Sequence, residues 1–138
     1  MMDSPDHTQF DFNVVGFLVT RCVVDFAFTL DMLHGQRLAS LRIEEPFECH
    51  VNGRTIQCDA SNNREGLGPA LLLSRRRVDA MWIANDDTLH MTFSEGAFLS
   101  VPRHAHYESW TFNGPDGTLV VAGPGSRLAI FGPRNETG

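Results

Sequence analysis

The sequence predicts a β-dominated α+β fold, in which antiparallel sheets form a sandwich or a curved roll of about 8–10 strands with one short helix. Turn signals such as Asn52-Gly53 and Glu95-Gly96 recur at intervals of about ten residues, which is typical of antiparallel β domains. Apolar and polar residues alternate between these turns, as they do in strands with one buried face. One segment, 68–77, has a helical pattern instead.

The alternation is clearest from Val23 to Leu33, which we interpret as one strand. After Gly35, a second strand is expected to place Leu41 and Ile43 inward. The residues of the first strand expected in the core share one face: Val24, Phe26, Phe28, Leu30 and Met32. Further strands are expected at 47–51, 54–58, 78–84, 88–94, 97–101, 107–112, 117–122 and 127–131.

The helix is predicted at 68–77. Gly68 can act as its N-cap, and Pro69 suits the first helical position, where a missing N–H costs nothing. The three arginines Arg75, Arg76 and Arg77 then lie in the last turn, where cations meet the negative end of the helix dipole. We expect this structural role for them rather than the binding of phosphate or of an acidic partner.

The chain has 138 residues, of which 42% are hydrophobic, and this length and composition indicate one globular domain, at 10–132. The polar termini, 1–9 and 133–138, are expected to be flexible. Its formal net charge is -6, which argues against nucleic-acid binding. The longest apolar run, Val14 to Val24, is interrupted by Arg21 and is too short for a membrane span.

The sequence contains three cysteines, an odd number, and no secretion signal. We therefore expect reduced thiols in a cytoplasmic protein, although Cys49 and Cys58 could pair across a hairpin.

A weak internal repeat is also present. The run from Leu30 to Gly35, followed by Leu41-Arg42-Ile43, is similar to the run from Met91 to Gly96, followed by Leu99-Ser100-Val101. Either a duplication or the shared pattern of antiparallel hairpins explains it.

Several motifs of the C-terminal half carry a family resemblance. They are the run from Thr88 to Pro102, Tyr107-Glu108-Ser109-Trp110, Gly114-Pro115-Asp116-Gly117, Pro124-Gly125 and Leu128-Ala129-Ile130-Phe131. Together they resemble a family of short, uncharacterised proteins of high-GC bacteria. The sequence departs from that family's pattern at Glu95, at Phe131 and at the two histidines His104 and His106. Since the family has no established reaction, the resemblance concerns the fold and leaves the function open.

The candidate binding residues lie in one segment, 103–110. If this segment is extended, His104 and His106 share a face and are weak candidates for a zinc site, but their spacing matches no standard zinc pattern. Alternation would place Glu108 beside Trp110 on a buried face, where the carboxylate would need a partner such as Arg42, Arg103 or Arg127. The predicted ligand- or partner-binding residues are Arg103, His104, His106, Tyr107, Glu108 and Trp110.

No motif of a nucleophilic, nucleotide-dependent or phosphate-binding enzyme is present, so the sequence favours a protein without catalytic residues or cofactors. The first functional hypothesis is a non-enzymatic protein-interaction module, with an immunity protein that neutralises a basic toxin as a special case. The alternatives are a small-ligand-binding β domain with its site near Tyr107, Glu108 and Trp110, and a metal site at His104 and His106. A homodimer is also compatible with the exposed edges of the predicted sheets.

Overall fold

Two antiparallel sheets pack face to face in the computed structural model, which describes residues 10–125 and 128–132. The first sheet contains β1 (Leu18–Val24), β2 (Phe28–His34), β3 (Arg37–Ile43), β9 (Trp110–Asn113), β10 (Leu119–Ala122) and β11 (Leu128–Phe131). The second contains β4 (Phe47–Val51), β5 (Arg54–Cys58), β6 (Val78–Ile83), β7 (Leu89–Phe93) and β8 (Phe98–Val101). The strand orders are β1-β2-β3-β9-β10-β11 and β5-β4-β8-β7-β6.

The predicted fold class is confirmed. The described residues form eleven strands, one more than the upper end of the predicted range. Apolar residues from both sheets form one buried core between them, with Phe28, Leu41 and Phe112 from the first sheet and Phe47 and Leu99 from the second. The termini predicted to be flexible, 1–9 and 133–138, lie outside the described residues.

The strand predicted from Val23 to Leu33 is wrong, because the chain turns at 25–27 and forms two strands, β1 and β2. The Asp25 carboxylate accepts a hydrogen bond from the Ala27 backbone N–H at 2.8 Å, which stabilises the turn. Phe26, predicted in the core, lies exposed at its tip. The turn contains neither glycine nor proline, so the residue pattern does not reveal it.

The predicted helix is displaced by four residues at each end: it is a 3₁₀ helix, η1, at Arg64–Leu73 rather than at 68–77. Its N-cap is Asn63, whose side chain accepts a hydrogen bond from the Gly66 N–H, and Pro69 lies inside the helix. The buried residues Leu67, Ala70 and Leu73 recur every third position, which is the period of a 3₁₀ helix. A second 3₁₀ turn, η2, spans Ser94–Gly96.

The weak sequence repeat corresponds to a structural repeat. The meander β1-β2-β3 continues into the hairpin β4-β5 of the second sheet, and the meander β6-β7-β8 continues into the hairpin β9-β10 of the first. Each sheet therefore combines the meander of one repeat with the hairpin of the other. Among the described strands, β11 has no counterpart in the first repeat.

The strand registers of the two repeats agree residue by residue. Leu30 lies opposite Leu41 in the first repeat, and Met91 lies opposite Leu99 in the second, as the sequence alignment requires. Each meander also has a register irregularity in its first strand, between Val19 and Arg21 in β1 and between Val78 and Ala80 in β6. This agreement favours a duplication over a chance likeness of hairpins.

The thiols of all three cysteines are free. Cys49 lies opposite Ile56 and Cys58 lies opposite Phe47, so these cysteines are not direct cross-strand partners. Burial raises the pKa of the Cys49 thiol to about 12 and those of Cys22 and Cys58 to about 11.

Within 10–125 and 128–132, no helix has the length and apolar character needed to cross a membrane.

Candidate functional site

The loop 102–109, which connects β8 to β9, contains most of the predicted site residues. It carries the chain from the second sheet to the first, and it has eight residues. The equivalent crossover of the first repeat, 44–46 between β3 and β4, has three residues. The longer crossover is therefore not needed to connect the sheets. Long loops on a rigid scaffold are frequent sites of binding.

His104 holds this loop in a defined conformation. Its Nδ1 atom accepts hydrogen bonds from the backbone N–H groups of His106 at 3.0 Å and of Tyr107 at 3.2 Å. Because Nδ1 accepts, the neutral ring carries its hydrogen on Nε2, which lies 3.6 Å from Glu45 Oε1. The His104 carbonyl accepts a further hydrogen bond from the Gly125 N–H at 2.7 Å. These contacts connect the loop to the first crossover and to the turn that follows β10.

Three aromatic rings cluster on the outside of this loop. The ring centroids of His104 and Tyr107 are 5.0 Å apart, and those of His104 and His106 are 6.2 Å apart. Tyr107 is 61% exposed. Arg103, His106 and Glu108 are exposed as well. The structure therefore brings five of the six predicted site residues together on one loop.

Trp110, the sixth, lies in the core with 1% of its surface exposed. The expectation that Glu108 and Trp110 share a buried face is wrong, because the strand begins at Trp110 and Glu108 belongs to the preceding loop. Ser109 is buried instead, and Glu108 is exposed and needs no buried partner. Of its predicted partners, Arg42 pairs with Asp25 and Glu44, and Arg127 lies outside the described residues.

A cavity beside Trp110 has a volume of about 10 Å³, which is the space of roughly one water molecule. The Trp110 Nε1 and Ser109 Oγ atoms are buried and have no hydrogen-bond partner among the described residues. An ordered water can satisfy such groups, but a small organic ligand does not fit. Trp110 therefore cannot be a contact residue for a small ligand, as the small-ligand hypothesis had assumed.

An open groove of about 440 Å³ adjoins the loop on the side of Glu108. Its other walls are formed by the β10-β11 hairpin, through Val121, Pro124, Leu128 and Ala129. Among the described residues that line the groove, Glu108 is the one with a charge. The sequence does not reveal these walls, because the alternation of apolar residues predicts only that Val121 and Ala129 belong to strands. The available signal was the uncharged segment Leu128–Phe131, which lacks the polar residues of an exposed edge.

The weak metal candidates His104 and His106 are neighbours, but Nδ1 of His104 is occupied by backbone N–H groups. In the part of the chain that the structure describes, no three histidine, cysteine, aspartate or glutamate side chains converge in a geometry suited to a metal ion. The arrangement instead gives His104 a structural role in the loop.

Four carboxyl groups have lowered pKa values, and the cause in each is local structure. Hydrogen bonds within turns lower the pKa values of Asp25, Asp59, Asp86 and Asp116, chiefly from Ala27, Asn62, Thr88 and Thr118 respectively. All four carboxylates stabilise turns between strands or beside η1, outside the loop 102–109. These shifts therefore point to fold stability rather than to acid–base chemistry.

Comparison with known proteins gives one family match. A family model described as a family of unknown function (DUF6188) matches residues 10–132. The match confirms the prediction of an uncharacterised family, whereas bacterial origin remains a prediction. Neither the curated proteins nor the solved structures gave a match.

Proposed function

This chain belongs to a family of unknown function (DUF6188), and we propose that it is a non-enzymatic protein-interaction module that binds its partner through the loop 102–109. The observation that carries the proposal is the loop's combination of exposure and order. Tyr107 is exposed, while His104 accepts hydrogen bonds from the N–H groups of His106 and of Tyr107 itself and so fixes the backbone that leads into Tyr107. Since little conformational entropy is lost when an ordered loop binds, such a loop is suited to recognition.

The residue types of the loop also support a protein partner. Tyrosine and arginine are enriched among the residues that dominate binding energy at protein interfaces, and the loop presents Tyr107 and Arg103. The exposed His106 adds a ring that can donate or accept hydrogen bonds. No substrate-sized enclosed cavity is needed for such a contact.

We further propose that the partner is basic, as it would be for an immunity protein that neutralises a basic toxin. The chain has a formal net charge of -6, and Glu44, Glu45 and Glu108 lie on or beside the two crossovers. Acidic groups around a contact site accelerate association with a basic protein by long-range attraction. The three free thiols favour a reducing compartment, which supports a cytoplasmic location.

The proposal is tested by affinity capture from cells that express the protein naturally, with quantitative mass spectrometry of what is retained. The baits are the wild-type chain and the variants Tyr107→Ala and Val15→Ala. Val15 is an exposed apolar residue far along the chain from the loop, so Val15→Ala is a matched control. We expect a partner that the wild type and Val15→Ala capture equally and that Tyr107→Ala captures at least tenfold less.

Equal capture of that partner by Tyr107→Ala would contradict the proposal, and so would the absence of any protein enriched over an empty matrix. A dimer of this chain that dissociates with Tyr107→Ala would also contradict it, because the loop would then bind a second copy. Thermal unfolding of each variant shows whether a loss of capture reflects a loss of fold.

A further inference from the structure

The strand β11 forms one edge of the first sheet, where it pairs with β10 alone among the described strands. In an antiparallel pair, alternate residues direct both their N–H and C=O groups away from the neighbouring strand. Two of the four residues of β11 therefore direct their backbone groups to an edge on which no described strand pairs. Such an edge is a template for another strand.

The other three sheet edges in the described part of the chain carry features that oppose pairing. The edge strands β1 and β6 each have a register irregularity, with Arg21 and Asp79 beside it. The edge strand β5 contains Arg54 and Gln57 and packs against η1. Bulges, charged side chains and covering elements are the means by which proteins protect sheet edges. The β11 residues, Leu128–Phe131, include no charge and no proline.

Apolar side chains are exposed on both faces of β11. Ile130 lies on the core side of the sheet, opposite the buried Val120, and is nevertheless 46% exposed. Phe131 lies on the other face, opposite Leu119, and is 56% exposed. A strand added beside β11 would cover apolar surface on both faces and would pair its backbone groups at the same time.

The groove beside Glu108 is continuous with this edge, because Leu128 and Ala129 belong both to β11 and to the groove wall. Glu108 lines the other side of the groove. The other described residues of the groove wall are uncharged, so a basic side chain that projects into the groove from an added strand can pair with the Glu108 carboxylate. Charge complementarity therefore selects a segment with arginine or lysine over an acidic one.

We propose that β11 accepts an extended segment of the partner protein as an additional strand, and that this segment is apolar with a basic residue directed to Glu108. This inference rests on the proposed function, since it describes how the partner of the loop 102–109 is held. A second copy of the chain is expected to bind this edge more weakly than a basic partner does, because two chains that each have a net charge of -6 repel each other.

The test uses a fluorescent eight-residue peptide in which valine and threonine alternate and an arginine stands near each end. A matched peptide has glutamate in place of both arginines. Anisotropy titrations compare the wild-type chain with Ile130→Lys, which places a charge on the edge, and with Leu38→Lys, which places one on exposed apolar surface of β3. Glu108→Gln removes the charge from the groove.

We expect the wild type and Leu38→Lys to bind the arginine peptide at least tenfold more tightly than the glutamate peptide. Glu108→Gln should reduce that preference to about twofold or less, and Ile130→Lys should weaken the binding of both peptides at least tenfold. Phe131→Glu provides a second edge variant, and circular dichroism shows whether either edge variant has lost its fold.

Unchanged binding in folded Ile130→Lys and Phe131→Glu would overturn the inference, as would no binding of the arginine peptide at millimolar concentration. A dimer in sedimentation experiments that Ile130→Lys dissociates would also overturn it, since a second copy would then occupy the edge. A failure of the proposed function gives a different result from a failure of this inference. It appears in the capture experiment, as full partner capture by Tyr107→Ala, a variant that leaves β11 intact.

Discussion

Phe17 and Arg76 occupy equivalent positions in the two repeats. The Val78 N–H donates to the Phe17 carbonyl at 2.8 Å, and the Val19 N–H donates to the Arg76 carbonyl at 2.8 Å. These reciprocal bonds join the starts of β1 and β6, and so connect the two sheets. The side chains at the two positions differ: Phe17 stacks on His34, whereas Arg76 contacts Glu95, which occupies the place of His34 in the second repeat.

Replacing Arg76 with alanine should destabilise the fold by about 2–4 kcal/mol, because the guanidinium is nearly buried and its removal leaves acceptors without partners. It donates to Asn52 Oδ1 at 2.8 Å, to the Ser94 carbonyl at 3.1 Å and to the Leu72 carbonyl at 3.2 Å. Urea denaturation measures the change. The control Arg75→Ala, at an exposed position, should remain within about 0.5 kcal/mol of the wild type, and equal losses in both variants would contradict this account.

Gly16 has a left-handed backbone with a φ of +89°, and its equivalent in the second repeat, Arg75, has a φ of 76°. Gly16→Ala should destabilise the fold by about 1–2 kcal/mol through backbone strain, since the new Cβ meets only ordinary contacts with His34. Gly68→Ala, in η1 and without nearby atoms, should instead stabilise it by up to about 1 kcal/mol. Thermal unfolding measures both, and changes of the same sign would argue against the assigned backbone conformations.

His104→Ala should loosen the loop 102–109 without unfolding the sheets. It removes the acceptor of the His106 and Tyr107 backbone N–H groups, so the hydrogen exchange of these two amides should accelerate about tenfold or more. Exchange measured by NMR tests this. His106→Ala is the matched control, because its ring accepts neither of these bonds, and comparable acceleration in this control would contradict the role given to His104.

The three thiols, of which Cys49 and Cys58 are buried and Cys22 is partly buried, should make the fold less stable at alkaline pH. Burial raises the Cys49 pKa from 9.0 to about 12 and the Cys22 and Cys58 pKa values from 9.0 to about 11, so the folded state retains protons that the unfolded state loses. Their contribution is complete below pH 9 and decreases between pH 9 and 11, by at most about 1.4 kcal/mol per pH unit for each of the buried thiols Cys49 and Cys58, and by less for the partly exposed Cys22. Urea denaturation at pH 8 and pH 10 measures it. Cys49→Ala should reduce the slope, and a slope unchanged by this variant would refute the assignment.

The sequence predicted the elements whose turns carry a recognisable residue. Gly35, Gly53 and Gly96 have positive φ values and mark the hairpins as expected, and Leu30, Leu41 and Leu99 lie in the core. The turn at Asp25 was missed because its stabilising bond comes from a carboxylate rather than from glycine or proline. The helix was displaced because Gly68 and Pro69 were assigned to its start, whereas the N-cap is Asn63 and Pro69 lies inside the helix.

The candidate site was predicted in part. The predicted site residues from Arg103 to Glu108 lie on one loop, since they are contiguous in the chain. The burial of Trp110 depends on where β9 begins, which alternation alone placed three residues too early, at 107 instead of 110. The edge position of β11 could not be predicted, because it depends on the order of strands in the sheet, and the lack of charge in Leu128–Phe131 does not by itself indicate an edge.

The most direct test of the proposed interaction site is a comparison of amide hydrogen exchange between the free chain and its complex with the captured partner. We predict slowed exchange at 102–109 and along β11, with the outer face of the second sheet unchanged. Slowed exchange confined to that outer face, for example at His50, Trp82 and His90, would contradict the assignment of the loop as the contact site.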